Sequence, residues 1–587
     1  MLGLVSCGLQ DLRTEAQEFL DRYNQQYVEL YTRSSEAEWR SNTYIRDGDE
    51  ETAAATRTAR EQLAAFTGSV GNIEAARRFL EHRDRLDPLQ VRQFEAMLYE
   101  AANNPQTVAD LVRERIAAET RQTELLYGFD FKLEGRSVTT NDLDTLLKDE
   151  TRLPRRLEIW NSSKEVGRGL KEGLVKLREL RNRTVQALGY PDYFGYQASE
   201  YGMNSEEILE LSRRLVRELW PLYRELHTFA RYELARKYRI SQVPDELPAH
   251  WLPNRWGQDW STLVSVEGID LDSTLQNRSP EWIVQQGEEF YVSMGMPRLP
   301  ASFWEKSSLY PLPPDAGYRK NNHASAWHID LNLDVRSLMS VIPNAEWYET
   351  VHHELGHVYY FLAYSRPEVP PLLREGANRA FHEAVGSLMG LAAMQRPFLE
   401  QRGLVPPGIQ TDTELTLLKE ALNYVVFIPW AGVMTEFEHR LYAENLPPDR
   451  FNRTWWELVR RFQGIVPPAP RGEEFCDAAT KTHINDDAAQ YYDYALSFAI
   501  LFQLHEHISR EILGQDPRAT NYFGSREAGR FLQSIMSPGA TVDWRRLMQD
   551  TLGEEISAEP MLRYFEPLTQ YLRRVNQGRT HTLPEQF

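Results

Sequence analysis

From residue 11 onward, apolar side chains recur at three- and four-residue steps. Ala16, Phe19, Leu20, Tyr23, Tyr27, Leu30 and Tyr31 form one stripe among Glu, Gln and Arg, the pattern of an amphipathic helix with a single buried face. Comparable patterns follow at 51–66, 73–83, 88–102 and 107–126, broken at Gly68, Gly71 and Asn103-Asn104-Pro105. The first 130 residues are therefore expected to be successive helices with solvated, charged outer faces. Long helical patterns continue at 151–188 and 205–238, and again at 348–364, 378–394, 411–441 and 491–513. Between them, 242–314 is richer in Pro, Trp and Gly, so loops and short elements are expected there. No alternating series is long enough for a large sheet. One small strand pair is expected near 324–331, and the fold class is mainly α.

Composition narrows the function. The 587 residues carry 66 basic and 85 acidic side chains, a net charge of −19, which offers no basic footprint for a nucleic-acid partner. No run of eighteen apolar residues marks a transmembrane helix. The two cysteines, Cys7 and Cys476, allow at most one disulfide and no thiolate zinc module. A metal must then be held by histidines and carboxylates. Leu4-Val5-Ser6-Cys7 resembles the end of a lipoprotein signal, so residues 1–7 are read as a candidate signal remnant and Cys7 as a candidate lipid attachment point. An extracytoplasmic location, periplasmic or lipid-anchored, is expected, with the cytoplasm as the alternative.

The chemistry-bearing segment is VHHELGHVYY at 351–360. His353 and His357 stand four apart, so on a helix both imidazoles face one cation, with Glu354 beside it. A catalytic zinc takes three protein ligands and keeps one open position. The third candidate is Glu383, 26 residues after His357 in FHEAVGSLMG, on an otherwise apolar helix face where a carboxylate needs a partner charge. One zinc ion per chain is expected. Glu354 is the expected general base, taking a proton from water and returning it to the departing amine. The reaction implied is peptide-bond hydrolysis.

These residues, together with FWEKSSL at 303–309, HASAW at 323–327, REGAN and FHEA within 374–384, WWEL and FQGIVPP within 455–468, and the KTHI to LSF region at 481–498, resemble the angiotensin-converting enzyme family of zinc peptidyl-dipeptidases. The resemblance runs from about residue 16 to 568. It implies a large helical peptidase with two lobes around a deep central cleft: a single domain over 8–587, with 8–130 forming lid helices that admit oligopeptides and exclude folded proteins. It implies His353, His357 and Glu383 as zinc ligands and Glu354 as base. Tyr494 and His483 are implied as donors to the reacting carbonyl, His323 as a second histidine donor, and Ala324 and Ala326 as backbone partners of an extended peptide. Lys481, Tyr491 and Gln258, the last in WGQDW, are implied as a clamp on the substrate's C-terminal carboxylate. Such a site releases C-terminal dipeptides from oligopeptides with a free C-terminus, and a monomer is expected. The rivals are a related zinc oligopeptidase or carboxypeptidase with another cleavage position, and a catalytically silent peptide-binding homologue.

The sequence also departs from the family. Ser387 stands where the family places an aspartate that orients a zinc histidine, which puts metal affinity in question or requires a substitute partner. Val459 and Asp493 occupy two chloride-binding arginine positions of the animal enzymes, so chloride is not expected as a cofactor. The family's disulfides cannot form, which points to a bacterial member. Two extra residues fall between His357 and Glu383, and one between His483 and Tyr491.

Overall fold

A computed structural model describes residues 2–46, 48–266, 270–321, 323–409 and 412–587, with residues 2–11 described by their backbone alone. The Cys7 side chain therefore lies outside the described residues. In chain order, the helices that matter here are α1 (Leu2–Thr43), α2 (Glu50–Thr67), α3 (Val70–Leu80), α4 (Pro88–Asn103), α5 (Ala109–Tyr127), α6 (Val166–Gln186) and α7 (Ser205–Lys237). They continue with α8 (Pro280–Ser293), α9 (Ala345–Tyr364), α10 (Arg379–Ala393), α11 (Thr413–Tyr442), α12 (Phe451–Gln463), α13 (Thr482–Asp486) and α14 (Tyr492–Glu506). The mainly α reading holds.

The chain divides into two compact units, each assembled from three stretches: Met1–Ala109, Asp270–Ile409 and Leu504–Ile556 in the first, Asp110–Ile269, Gln410–Gln503 and Ser557–Phe587 in the second. The helices read over residues 1–130 are divided by this partition, α1 to α4 belonging to the first unit and α5 beyond its first residue to the second. In the first unit the stripe of α1 is buried as its spacing predicts: Ala16, Leu20, Tyr23 and Tyr27 pack with Ala76, Phe79, Phe94 and Met97 of α3 and α4 and with Leu331 and Leu372. In the second unit, α7, α11 and α12 make the core. Gly432 of α11 lets these helices approach closely, because a Cβ there would lie 2.5 Å from the Phe462 ring and 3.5 Å from Val216.

Helix α11 has the length and apolarity of a membrane span, yet 78% of its apolar window is buried inside the protein, and its last turns carry Glu436, Glu438 and Arg440. It is the central helix of a folded core.

Two sequence expectations need correction. The region 242–314 contains α8, a 14-residue helix. Its start is legible in retrospect, since Ser279 caps it by accepting from Trp282 N–H and Pro280 occupies the first turn. Three two-stranded sheets occur among the described residues, where one pair was expected: β1 (Phe131–Leu133) with β2 (Arg136–Val138), β3 (Leu247–Pro248) with β6 (Ile465–Val466), and β4 (Ser325–His328) with β5 (Val335–Leu338). The expected pair near 324–331 is β4 with β5, whose second strand lies further along than anticipated. Segments of two to four residues are too short for alternation to register.

Candidate metal centre and active site

Helix α9 begins where Asn344 accepts from Trp347 N–H at 2.8 Å and ends at Ser365, two residues before Pro367. Its buried face, with Val351, Leu355, Val358 and Tyr359, leaves His353 and His357 one turn apart on another side. Helix α10 is likewise capped by Asn378, which accepts from Phe381 N–H at 3.1 Å, and it carries Glu383. The two helices cross with almost no side chain between them. A Cβ on Gly356 would lie 2.8 Å from Gly386 Cα, and one on Gly386 would lie 3.1 Å from the His353 ring. Behind α9, α8 packs through Gly287, whose Cβ would meet Leu355 and Val351 at 2.7 and 2.9 Å. Tyr291 of α8 donates from Oη to the His352 carbonyl at 2.6 Å and stacks on Tyr359 at 4.2 Å.

This crossing assembles the predicted donor set. His353 Nε2 and His357 Nε2 are 3.1 Å apart, and the Glu383 carboxylate oxygens lie 3.8 and 3.9 Å from them; one donor atom from each residue falls within 4.8 Å of the others. Ligands at about 2.0–2.1 Å from a tetrahedral zinc sit about 3.3 Å apart, so two imidazoles and a carboxylate in this arrangement fit the ion. Burial pushes both His353 and His357 down to about 4, which keeps the rings neutral and able to ligate. Glu354 is buried beside them. Burial, reinforced by the negative charge of Glu383, pushes its carboxyl up to about 8, a range suited to exchanging a proton near neutrality.

Ser387 makes no hydrogen bond to either zinc-candidate imidazole among the described residues. The partner of His357 is instead His382, with the two Nδ1 atoms 3.1 Å apart. When Nε2 of His357 faces a cation, its Nδ1 carries the proton and donates to His382. Burial holds His382 well below its ordinary range, so it is neutral and can accept. Its ring lies between Tyr360 and Phe361, with centroids 4.2 and 5.1 Å away. Sequence reasoning passed over His382, although its position next to Glu383 was a usable signal.

Strand β4 carries Ala326, and Ala324 immediately precedes it. Ala326 faces Ser337 across the pair, and Ile329 N–H donates to Asp334 at 2.9 Å. Antiparallel pairs alternate between bonded and non-bonded, so Ala326 is a non-bonded pair with its N–H and C=O directed away from β5. Ser337 obeys the same rule, its carbonyl accepting from Ser308 N–H on the far side of β5. Among the described residues no other strand pairs with the outer edge of β4, toward which Ala326 directs its N–H and C=O, while the Ala324 carbonyl lies 3.5 Å from His323 Nδ1. His323 is exposed on the loop before β4, its N–H donating to Asn321.

The remaining candidates cluster in the second unit. Lys481 Nζ donates to Gln258 Oε1 at 2.9 Å and lies 5.5 Å from the Tyr491 ring. His483 Nε2 is 3.3 Å from Tyr494 Oη, and the Tyr491 and Tyr494 rings are 5.1 Å apart. Lys481, Gln258, His483, Tyr491 and Tyr494 therefore lie together in one cluster. Two aromatic neighbours escaped the sequence reading. Trp256 lies 4.4 Å from Lys481 Nζ, and Trp430 donates from Nε1 to Tyr491 Oη at 2.9 Å. Burial, with the charge of Arg255, pulls the Lys481 ammonium down to about 7. Val459 is buried, and Asp493 accepts from Tyr201 Oη at 2.6 Å.

Comparison with known proteins finds relatives along almost the whole chain. The family described as angiotensin-converting enzyme matches residues 10–583. The angiotensin-converting enzyme of Oryctolagus cuniculus is 29% identical over 594 residues, covering 96% of this chain and 43% of the rabbit protein. That of Mesocricetus auratus is 29% identical over 601 residues, covering 97% and 44%, and that of Rattus norvegicus is 30% identical over 459 residues, covering 75% and 34%. The chain thus spans less than half the length of the curated relatives it matches. With a match across almost its whole length and the HExxH helix crossing a glutamate-bearing helix, the chain belongs to the angiotensin-converting enzyme family.

Proposed function

We propose that this chain is a zinc metallopeptidase that removes C-terminal dipeptides from oligopeptides. The observation that carries the reading is the convergence of His353, His357 and Glu383 with the buried carboxyl of Glu354 beside them. His353, His357 and Glu383 would hold a zinc ion, which would polarise the scissile carbonyl and acidify water. Glu354 would take a proton from the attacking water and deliver it to the departing amine. Tyr494 donates from its phenol to the oxygen on which negative charge develops, and His483 and His323 donate to substrate carbonyls. Ala324 and Ala326 offer backbone groups to an extended substrate. Lys481, Gln258 and Tyr491 bind the terminal carboxylate and so set how far from the end the chain is cut. The helices at the N-terminus act as a lid in this reading, and the protein works as a monomer. Attachment of lipid at Cys7 with an extracytoplasmic location is part of the same proposal. Labelled fatty acid incorporated into the wild type and not into Cys7→Ser would support it, and no incorporation would remove it.

The test of the function is mass spectrometry of products from an unmodified decapeptide, with metal content measured on the same sample. Stepwise loss of dipeptides by the wild type and none by Glu354→Ala is expected. Cleavage unaffected by C-terminal amidation would replace the dipeptidase reading with an oligopeptidase of another specificity. Zinc bound without any product would leave a silent peptide-binding homologue.

A further inference from the structure

Glu438, in the last turns of α11, is fully buried in the second unit. Its Oε1 accepts from the Ala489 backbone N–H at 2.6 Å, while Oε2 has no hydrogen-bond partner among the described residues. It forms no ion pair among those residues. Arg181, whose charge acts on it, binds the Tyr442 hydroxyl and the Asn485 carbonyl, and Asp487 adds a like charge. Burial pushes the Glu438 carboxyl up to about 8, so it is largely neutral at pH 7. A buried carboxyl with a single bond is unfavourable on a core helix, and its one partner is an unusual residue. Ala489 is fully buried with φ +63°, in the left-handed region that an alanine avoids by on the order of tenfold.

Ala489 lies in the short connection from α13 to α14. Immediately after it, the Gln490 carbonyl accepts from Asp493 N–H as α14 opens, and Tyr491 is held at its phenol by Trp430. Trp430 and Glu438 both belong to α11, eight residues and about 12 Å apart along its axis. One helix therefore grips this connection at two points.

We propose that Glu438 is a positioning residue: by holding the Ala489 N–H it fixes the left-handed turn that sets the register of Tyr491 and Tyr494. A slip of one residue at a helix start rotates every following side chain by about 100°. The inference rests on the roles proposed above for the two tyrosines.

The test uses the full chain with Glu438→Gln, Glu438→Met, Ala489→Gly and the Glu438→Met/Ala489→Gly double variant. Glu438→Met is expected to lower kcat/KM at least tenfold, through kcat by way of Tyr494 and through KM by way of Tyr491. Zinc affinity should not change, since all three candidate ligands belong to the first unit. Glu438→Gln keeps an uncharged acceptor of the same reach and is expected to stay within twofold. Glycine enters the left-handed region without the penalty, so the double variant is expected to recover most of the loss, which a merely destabilised core would not do. Amide exchange of the peptide spanning 487–494 should rise in Glu438→Met and fall back in the double variant. Unchanged kinetics and exchange in Glu438→Met, equal damage from Glu438→Gln, or no recovery by glycine would each overturn the proposal. Should Glu438→Met fail to fold, Glu438→Asp, which withdraws the acceptor by one methylene, is read in the same way. If the wild type has no peptidase activity, the functional reading falls, and the exchange measurement alone decides the role of Glu438.

Discussion

Gly356→Ala isolates the contact that builds the metal centre. Inside a helix, alanine in place of glycine is ordinarily favourable by about 1 kcal/mol, so without a steric conflict the variant gains stability. Here the new Cβ would sit 2.8 Å from Gly386 Cα and 3.2 Å from Tyr291 Oη. To restore ordinary contact at 3.4–4 Å, α9 and α10 must separate by about 0.6–1.2 Å, and the nearest atom is backbone that cannot rotate aside. Overpacking of this kind costs about 1–3 kcal/mol, which exceeds or cancels the propensity gain. The effect on the site is larger. Ligand distances in a metal site are held within about 0.2 Å, so a retreat of this size takes Glu383 out of the coordination sphere set by His353 and His357. Zinc affinity is expected to fall about 100-fold or more, beyond the about 10–100-fold typical for loss of an outer partner. The assay is chelator competition for zinc, with thermal unfolding followed in the presence and absence of metal. Gly169→Ala is the control: Gly169 lies on the exposed face of α6, where an added Cβ would meet nothing within 4 Å, and the substitution should stabilise the protein by about 1 kcal/mol. A Gly356→Ala protein with raised unfolding temperature and zinc affinity within twofold of wild type would refute the account of how the centre is assembled.

Three further outcomes are expected. His382→Phe should weaken zinc binding about 10–100-fold, because it removes the acceptor for His357 Nδ1; chelator competition measures this, and an unchanged affinity would show that His357 needs no such partner. For peptides with a free C-terminus, KM should rise as pH climbs through about 7, where buried Lys481 loses its proton and its attraction for a carboxylate. The sign follows from an ammonium whose pKa is depressed: the cation is complete below that pH and lost above it. Peptides ending in an amide, and the Lys481→Met variant, should lack this rise, and a flat KM from pH 6 to 9 for free-acid peptides would remove Lys481 from the clamp. Adding chloride at constant ionic strength should leave the rate unchanged, given Val459 and the Tyr201-bonded carboxylate at Asp493; a clear increase would contradict this reading.

Much of the first unit's helical content was legible because its signals are local. The α1 stripe repeats every three to four residues, and the structure buries Ala16, Leu20, Tyr23 and Tyr27 together. The His353 and His357 pair needs nothing but helix periodicity to share a face. Helix α8 was missed because Trp, Pro and Gly around it masked a 14-residue pattern, although Ser279-Pro280 marked its start. The short strands were missed for lack of length. The packing of Trp256 against Lys481 carries no local signal, since the two come from chain segments more than 200 residues apart.

The sequence by itself determined which groups can do chemistry: two imidazoles and a carboxylate with metal-ligand spacing, a glutamate beside them, and a mainly helical chain with no thiolates to spare. Periodicity and residue type are properties of neighbours along the chain, so they survive in the sequence. Tertiary structure alone decided that Glu383 reaches the histidines, through two glycines that let α9 and α10 touch. It also decided that His382 stands where Ser387 offers no partner, and that Glu438 meets Ala489 across 51 residues of chain. Those contacts depend on how close two helices can approach and on what is buried between them, and neither quantity is written in the order of residues along one helix.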